Sequence, residues 1–462
     1  MNFVLPRHFN YNVLTDINIL MKKLISIITL SLLASSNLLA KDYINSFTFF
    51  NFWLQDNNYN KYLEKENGQL KNNLNIKAHK NNWGINYEYN PNLDTLIFYL
   101  YRYQHSHSIG DPNTKQWQKV EVKPSKKPYE FKFNLIEDKF IKKQMQTKGI
   151  LSYLYFQDNQ VLIDEISPKN RLGEFLDNES KFISMSMNKS VTSYILGHAI
   201  CEGYIGSVND SINDWPLLNN TLYANQKLID FLNMSVGDQK YINNFKKGTT
   251  GHPLADLNYE YQTNTIKSTL DLYFKNTVKS KSYYNYNGFI TQLLFNYVKY
   301  KTGEDFKKIL NKVFQDKVKI NNSVHFGKIR KTSEDHGNGH PMVRMTRFDY
   351  LRLAKAIMDD YQNDTCVGKY LKEIYKRRIP KNLGERNEPL FNRTKSYGGQ
   401  FHFDYPGLEN KIVFGMGGKG GRAILIDMEN SRIVVLNSIH YNNTKYKYNH
   451  KKLLIDPIKN GK

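Results

Sequence analysis

The stretch Phe182-Ile-Ser-Met-Ser-Met-Asn-Lys-Ser-Val-Thr-Ser193 decides how the rest of the chain is read. Ser186 and Lys189 stand three residues apart, so a helix opening here puts both side chains on one face with the serine in its first turn. A serine hydroxyl is a weak nucleophile until an adjacent base takes its proton. A lysine serves as that base when burial and neighbours leave it neutral. The spacing supports the helix: Met187, Val191, Tyr194, Ile195 and His198 form a largely apolar stripe, and Ser186, Lys189, Ser190, Ser193 and Gly197 a small, polar one. Taken alone, Ser-x-x-Lys also arises by chance and marks nothing beyond a helix N-cap. The flanking chain decides between the two readings.

Immediately upstream, residues 149–156 and 160–166 read as two strands joined by the hairpin signal Gln157-Asp-Asn159. Downstream come a turn-rich connection over 206–217, a short helix over 226–234 ending at Ser235-Val-Gly237, and a polar loop region over 238–267. A second helical region contains residues 283–302, and residues 346–358 carry apolar side chains at helical spacing. The pattern then returns to strands over 411–416, 422–428 and 432–437. Strands at both ends with helices between them predict an α/β fold of the α+β type: an antiparallel β-sheet flanked by helices, with an inserted helical subdomain.

Farther out the pattern weakens. Residues 41–145 read as a β-rich N-terminal module or an elaborated edge of the main domain, with Tyr129-Glu-Phe-Lys-Phe-Asn-Leu135 and residues 95–103 as strands. His105 and His107 have no third metal ligand nearby and read as surface histidines. From Met21 a short basic region, an apolar run and a small residue at Ala40 follow the order of a secretory signal, which predicts export, cleavage near Ala40 and a periplasmic protein. An uncleaved anchor is the competing reading, and residues 1–20 read as an upstream extension. The expected domains are therefore 1–40, 41–145 and a main domain over 146–462.

The 462 residues carry a formal charge of +22, yet the lysines are scattered and no nucleic-acid motif or arginine-rich arm accompanies them. The charge reads as compositional bias and excludes no anionic envelope partner. Two cysteines, Cys201 and Cys366, supply neither a disulfide framework nor a thiolate metal set. They are free to pair in an oxidising compartment, but Cys201 continues the serine helix and reads as a small buried residue.

With these elements in order, the chain resembles the serine β-lactamase and penicillin-binding-protein superfamily, and within it the class C-like group of esterases and 6-aminohexanoate-oligomer hydrolases. Its nucleophile segment is similar to residues 182–193, and its Leu-Leu-x-Met-x-Ser-Gly segment to Leu228-Ile-Asp-Phe-Leu-Asn-Met-Ser-Val-Gly237. The resemblance implies Ser186 as nucleophile with Lys189 as its proton partner. The tyrosine of the second motif falls on Tyr286 of Tyr284-Asn-Tyr-Asn-Gly-Phe-Ile-Thr-Gln-Leu-Leu294, with Gly288 where a polar side chain is usual. The alternative register uses Tyr283 and Asn285. The third motif falls on Phe414-Gly-Met-Gly-Gly-Lys-Gly-Gly-Arg422, where Met416 takes the cation's position and Gly417 and Gly418 follow.

By the same resemblance, the backbone N–H groups of Ser186 and Lys419 form an oxyanion hole. Gly417 and Gly418 approach the substrate, and Lys419 or Arg422 are candidates for the missing cation. Asp335-His-Gly-Asn-Gly-His340 reads as a glycine-broken loop at the cleft border, with His340 as a substrate contact. The resulting expectation is an exported serine hydrolase of amides or esters with no cofactor and no metal. Its partner would be a small amide or ester or a cell-wall-type substrate, with no nucleic acid and with peripheral association to an anionic envelope compatible with the charge. A peptidoglycan DD-peptidase and a silent ligand-binding homologue are the alternatives. Oligomeric state is not legible.

Overall fold

The computed structural model describes residues 64–66, 69–71, 120–170, 173, 176–242, 266–328, 339–381, 394–439 and 447–462. The chain divides into two units, Met1–Lys71 and Asn72–Lys462. Within the first, Glu64–Glu66 (β1) and Gln69–Lys71 (β2) form an antiparallel hairpin. The expected strand over 95–103, His105, His107 and the export signal lie outside the described residues.

The second unit is built on two sheets. Strands Val120–Val122 (β3) and Lys132–Phe133 (β4), helix Lys139–Thr147 (α1), and strands Ile150–Gln157 (β5) and Gln160–Ile166 (β6) lead to Lys181–Ile183 (β7). Asp158 and Asn159 close the β5–β6 hairpin with positive φ, as that turn type demands. The helices Asn188–Cys201 (α2), Leu228–Leu232 (α3), Ile266–Tyr273 (α4), Phe289–Thr302 (α5) and Phe306–Asn311 (α6) follow. Strands Val324–Lys328 (β8) and Gly339–Thr346 (β9) precede helices Arg347–Gln362 (α7) and Cys366–Lys376 (α8). The chain closes with Ile379–Pro380 (β10), Ser396–Gly398 (β11), Phe401–Phe403 (β12), Val413–Gly418 (β13), Arg422–Asp427 (β14), Arg432–Ser438 (β15) and Asp456–Asn460 (α9).

Among the described residues the large sheet has the order β10-β11-β12-β13-β14-β15-β5-β6-β4, antiparallel except where β4 joins β6, and the smaller has the order β3-β8-β9-β7. N- and C-terminal strands thus meet at the β5–β15 pair, as strands at both ends of the chain predict. Residues 120–147 belong to this body: β3 pairs with β8, β4 with β6, and α1 packs on β5. Val122, Ile141 and Met145 lose nearly all their exposure in these contacts.

Both faces of the large sheet are covered. On one side Ile141, Met145, Tyr153, Tyr155, Leu425, Val434 and Leu436 pack with Leu453, Leu454 and Ile458 of the C-terminal segment. Tyr153 and Tyr155 donate their hydroxyls to the carbonyls of Leu453 and Pro457 at 2.9 and 3.0 Å, which lets two buried tyrosines keep polar partners. On the other side α7 packs on β5, β14 and β15, and α8 packs on both α7 and α2. Strand β14 is consequently buried along its whole length.

The two cysteines form a disulfide, Cys201 to Cys366, joining the end of α2 to the start of α8 with Cα atoms 5.8 Å apart. The pairing that the sequence left open is made, and Cys201 serves as half of a bridge where the sequence favoured a small buried residue. Sequence spacing hides the pair, because 165 residues separate the two positions.

Candidate functional site

Strand β7 delivers the serine. Its pairing with β9 continues in Ser184, whose amide donates to the Val343 carbonyl at 2.8 Å and whose Oγ accepts from the Val343 amide at 3.1 Å. The chain then turns through Met185, with φ of +48°, into a short 3₁₀ turn over Met185–Met187 that feeds α2. A side chain with positive φ is held against its own steric preference. That conformation directly precedes Ser186, which is half-buried at the helix entrance.

Lys189 lies one turn on, 7% exposed, with Nζ 3.4 Å from Ser186 Oγ. The same nitrogen stands 4.8 Å from the centroid of the Tyr286 ring. Ser186, Lys189 and Tyr286 therefore converge. Tyr283, by contrast, is 42% exposed, and the structure gives the position beside Lys189 to Tyr286.

The polar stripe of α2 divides between two tasks. Its start meets Tyr286, but Ser190 Oγ donates to the Gln400 carbonyl at 2.7 Å and Ser193 Oγ shares a 2.7 Å hydrogen bond with Tyr370. Gly197 admits the Tyr370 ring, whose atoms would stand 2.6 Å from a Cβ there. Most of the stripe is thus packing against α8 and the β11–β12 turn.

Tyr286 rides on a loop fixed by the segment Leu228–Gly237. Asn285 N donates to the Met234 carbonyl at 2.8 Å, and Ser280 binds the Gly237 carbonyl through both its amide and its hydroxyl. Gly288 ends this loop as the residue before α5, and Asn287 Oδ1 accepts from Ile290 N, so a neighbouring asparagine caps the helix. Behind Tyr286 stand the rings of Tyr284 and Tyr397, at 6.4 and 6.1 Å. Burial pushes the Tyr397 hydroxyl well above the usual phenol range, and the charges Tyr286 and Tyr284 would carry if ionised push the same way. Beyond them Lys381 Nζ, 2% exposed, donates to Thr394 Oγ1 and lies 2.8 Å from His402 Nδ1. This wall is invisible in the sequence motifs.

Strand β13 packs against the Met185–Met187 turn. Met416 is fully buried, Gly417 pairs with Ala423, and Gly418 pairs with Arg422 where the strand meets the Ser184 carbonyl. Lys419 is exposed in the turn that follows. Arg422 is fully buried and donates to the carbonyls of Ile183 and Ser438, so it braces the strand entering the serine turn and supplies no cation to a substrate. His340 is paired in β9 opposite Gly327, and its side chain lies outside the described residues, as does most of the glycine-broken loop before it.

No family model matches the sequence, and no curated protein matches it. Solved structures do. A protein from Bacillus anthracis named a 6-aminohexanoate-dimer hydrolase superposes with a TM-score of 0.52 at 12% identity, covering 75% of this chain and 89% of that one. A D-stereospecific amidohydrolase from Streptomyces sp. gives 0.48 at 14% identity, over 70% of this chain and 100% of its own. A penicillin-binding protein from Bacillus halodurans gives 0.46 at 14% identity, over 66% and 95%.

Proposed function

From the serine β-lactamase and penicillin-binding-protein fold that this chain has, we propose that it is a serine hydrolase cleaving an amide or ester through an acyl-enzyme on Ser186. The observation that carries the reading is the convergence of Lys189 Nζ on Ser186 Oγ at 3.4 Å and on the Tyr286 ring at 4.8 Å. Ser186 Oγ attacks the substrate carbonyl while its proton passes to the Lys189 and Tyr286 pair. The backbone N–H groups of Ser186 and Lys419 hold the oxyanion. The pair then protonates the departing amine or alcohol, and a water molecule hydrolyses the acyl ester and restores the serine hydroxyl. Gly417, Gly418 and His340 border the substrate.

Substrate preference follows from the third strand. Met416 is buried and uncharged, and Arg422 is committed to two backbone carbonyls, so neither offers a charge to a carboxylate. A neutral amide or ester fits this strand better than a β-lactam or a peptidoglycan stem with its free carboxylate. Export fits as well: the Cys201–Cys366 disulfide favours an oxidising compartment, in line with the signal at Met21–Ala40.

The test is covalent labelling. Incubation of the protein and its Ser186→Ala variant with a fluorophosphonate and with a β-lactam, followed by peptide mass spectrometry, should show an adduct on Ser186 of the parent only. A variant that hydrolyses a p-nitrophenyl ester as fast as the parent would sink the reading. The departures at Gly288 and Met416 favour one competing reading, ligand binding without turnover, and parent protein left unlabelled by both probes would support it. A β-lactam adduct together with D-alanine release from a cell-wall peptide would point instead to a DD-peptidase.

A further inference from the structure

Asp238 follows directly on the Leu228–Gly237 segment and is 1% exposed. Its Oδ1 accepts from Asn285 Nδ2 at 3.1 Å, and its Oδ2 accepts from Asn287 Nδ2 and from the Tyr223 hydroxyl, both also at 3.1 Å. Asn285 and Asn287 are the two residues on either side of Tyr286. One buried carboxylate therefore holds the side chains of both neighbours of the tyrosine. Asn287 spends its remaining acceptor on Ile290 N and a second donor contact on the Asn285 carbonyl, which ties the grip to the first turn of α5.

An unpaired carboxylate is expensive to bury, and this one has neutral donors only among its hydrogen bonds. Burial holds its carboxyl above the usual range, against the opposing pull of Asn285, Tyr223 and Asn287. A leucine or methionine would fill such a position at lower cost. What the carboxylate gives in return is geometry: two acceptor oxygens in one plane define the separation and orientation of the two asparagines, and so the direction in which Tyr286 leaves the loop.

We infer that Asp238 is a positioning residue for Tyr286, acting through Asn285 and Asn287 to hold the phenol over Lys189. The inference rests on Tyr286 being the proton partner of Ser186. Replacing the carboxylate by an amide, Asp238→Asn, keeps the shape and removes one acceptor oxygen, so one asparagine loses its partner and the tyrosine is freed to shift. A displacement of about 1 Å costs on the order of a hundredfold in rate.

The experiment is a double-mutant cycle on the full chain with a p-nitrophenyl ester, using Asp238→Asn and Tyr286→Phe. Asp238→Asn should lower kcat about a hundredfold with little change in KM, and should cost little further in the Tyr286→Phe background. An unchanged kcat, or the same loss in both backgrounds, would overturn the inference. Asn285→Ala, on the loop side, repeats the test should the buried variant fold poorly. Hydrogen exchange of the peptide over 279–288 supplies a readout independent of turnover: exchange in Asp238→Asn should run about tenfold faster than in the parent, and equal rates would overturn the inference. Parent protein that never labels on Ser186 would defeat the hydrolase reading, while the exchange comparison would still decide whether Asp238 governs the tyrosine segment.

Discussion

Gly418 passes the Ser184 carbonyl so closely that a Cβ at Gly418 would stand 2.8 Å from the carbonyl oxygen. It would also meet Arg422 Cγ at 2.5 Å, on a side chain that donates to the Ile183 carbonyl. Glycine lets β13 lie flush against the segment entering the serine turn. Gly418→Ala must therefore push that segment or the arginine aside, at about 1–3 kcal/mol of overpacking. Because Ser186 is two residues from Ser184, the displacement reaches the proposed nucleophile and the amide of Lys419 together. Fluorophosphonate labelling of Gly418→Ala should be roughly a hundredfold slower than of the parent, in keeping with a disturbed oxyanion site. Equal labelling rates would show that the close approach serves packing alone.

The two candidate tyrosines separate by substitution. Tyr286→Phe keeps the ring that stands beside Lys189 and removes its hydroxyl, so ester hydrolysis should fall by about 10²–10⁴ while the fold is kept. Tyr283 is 42% exposed and Tyr283→Phe should change the rate by no more than about twofold. Steady-state kinetics of both variants on one ester decide the matter, and the reverse ranking would move the proton role to Tyr283.

What the sequence makes legible here is short-range. Ser186 and Lys189 are one turn apart, and the β5–β6 and β13–β14–β15 runs announce themselves as short apolar stretches bounded by turn residues, so both are legible in the sequence. The clamp on Tyr286 was not, because Asp238 is separated by 47 and 49 residues from the asparagines it binds, and no local rule relates them. Ser190 and Ser193 look like members of a reactive polar face, yet α2 is wrapped by other elements, and a buried hydroxyl needs a partner wherever it sits. Arg422 was misjudged as a candidate cation for the same reason: exposure cannot be read from residue type. Gln400 is a further case, receiving Thr291 Oγ1 and donating to the Phe231 and Leu232 carbonyls, which locks the β11–β12 turn to α3 and α5 across more than a hundred residues.

The Cys201–Cys366 bridge fastens the far end of α2 to α8 and closes a loop of 165 residues. Chain-entropy arithmetic for a loop of that length gives about 5 kcal/mol, at the upper end of what such bonds deliver. Cys201→Ser with Cys366→Ser, or reduction of the parent, should lower the urea midpoint substantially with no change in the site of labelling on Ser186. A midpoint within experimental error of the parent would mean that helix packing alone holds α2 and α8 together.

His198 gives the fold an acid limit that can be isolated. It sits on α2, 6% exposed, edge-on to Tyr194 at 4.8 Å, and its Nε2 has no hydrogen-bond partner among the described residues. Burial pushes its imidazole down to about 4, outweighing the pull of Asp360 in the other direction. In the unfolded chain the same group titrates near 6.5. Between those values the unfolded state binds the proton and the folded state does not, so stability falls as pH drops through this window and is fully present above it. The contribution at stake is roughly 3 kcal/mol. Asp238 works with the opposite sign: burial raises its carboxyl, so around the carboxylate range the folded state binds the proton more tightly than the unfolded chain and stability falls as pH rises. A His198→Gln variant removes the first effect and keeps the second. Urea unfolding of parent and variant at pH 7 and pH 4.5 should show the parent losing clearly more stability on acidification. Parallel losses would mean that the imidazole is protonated inside the fold, with Asp360 as its counter-charge.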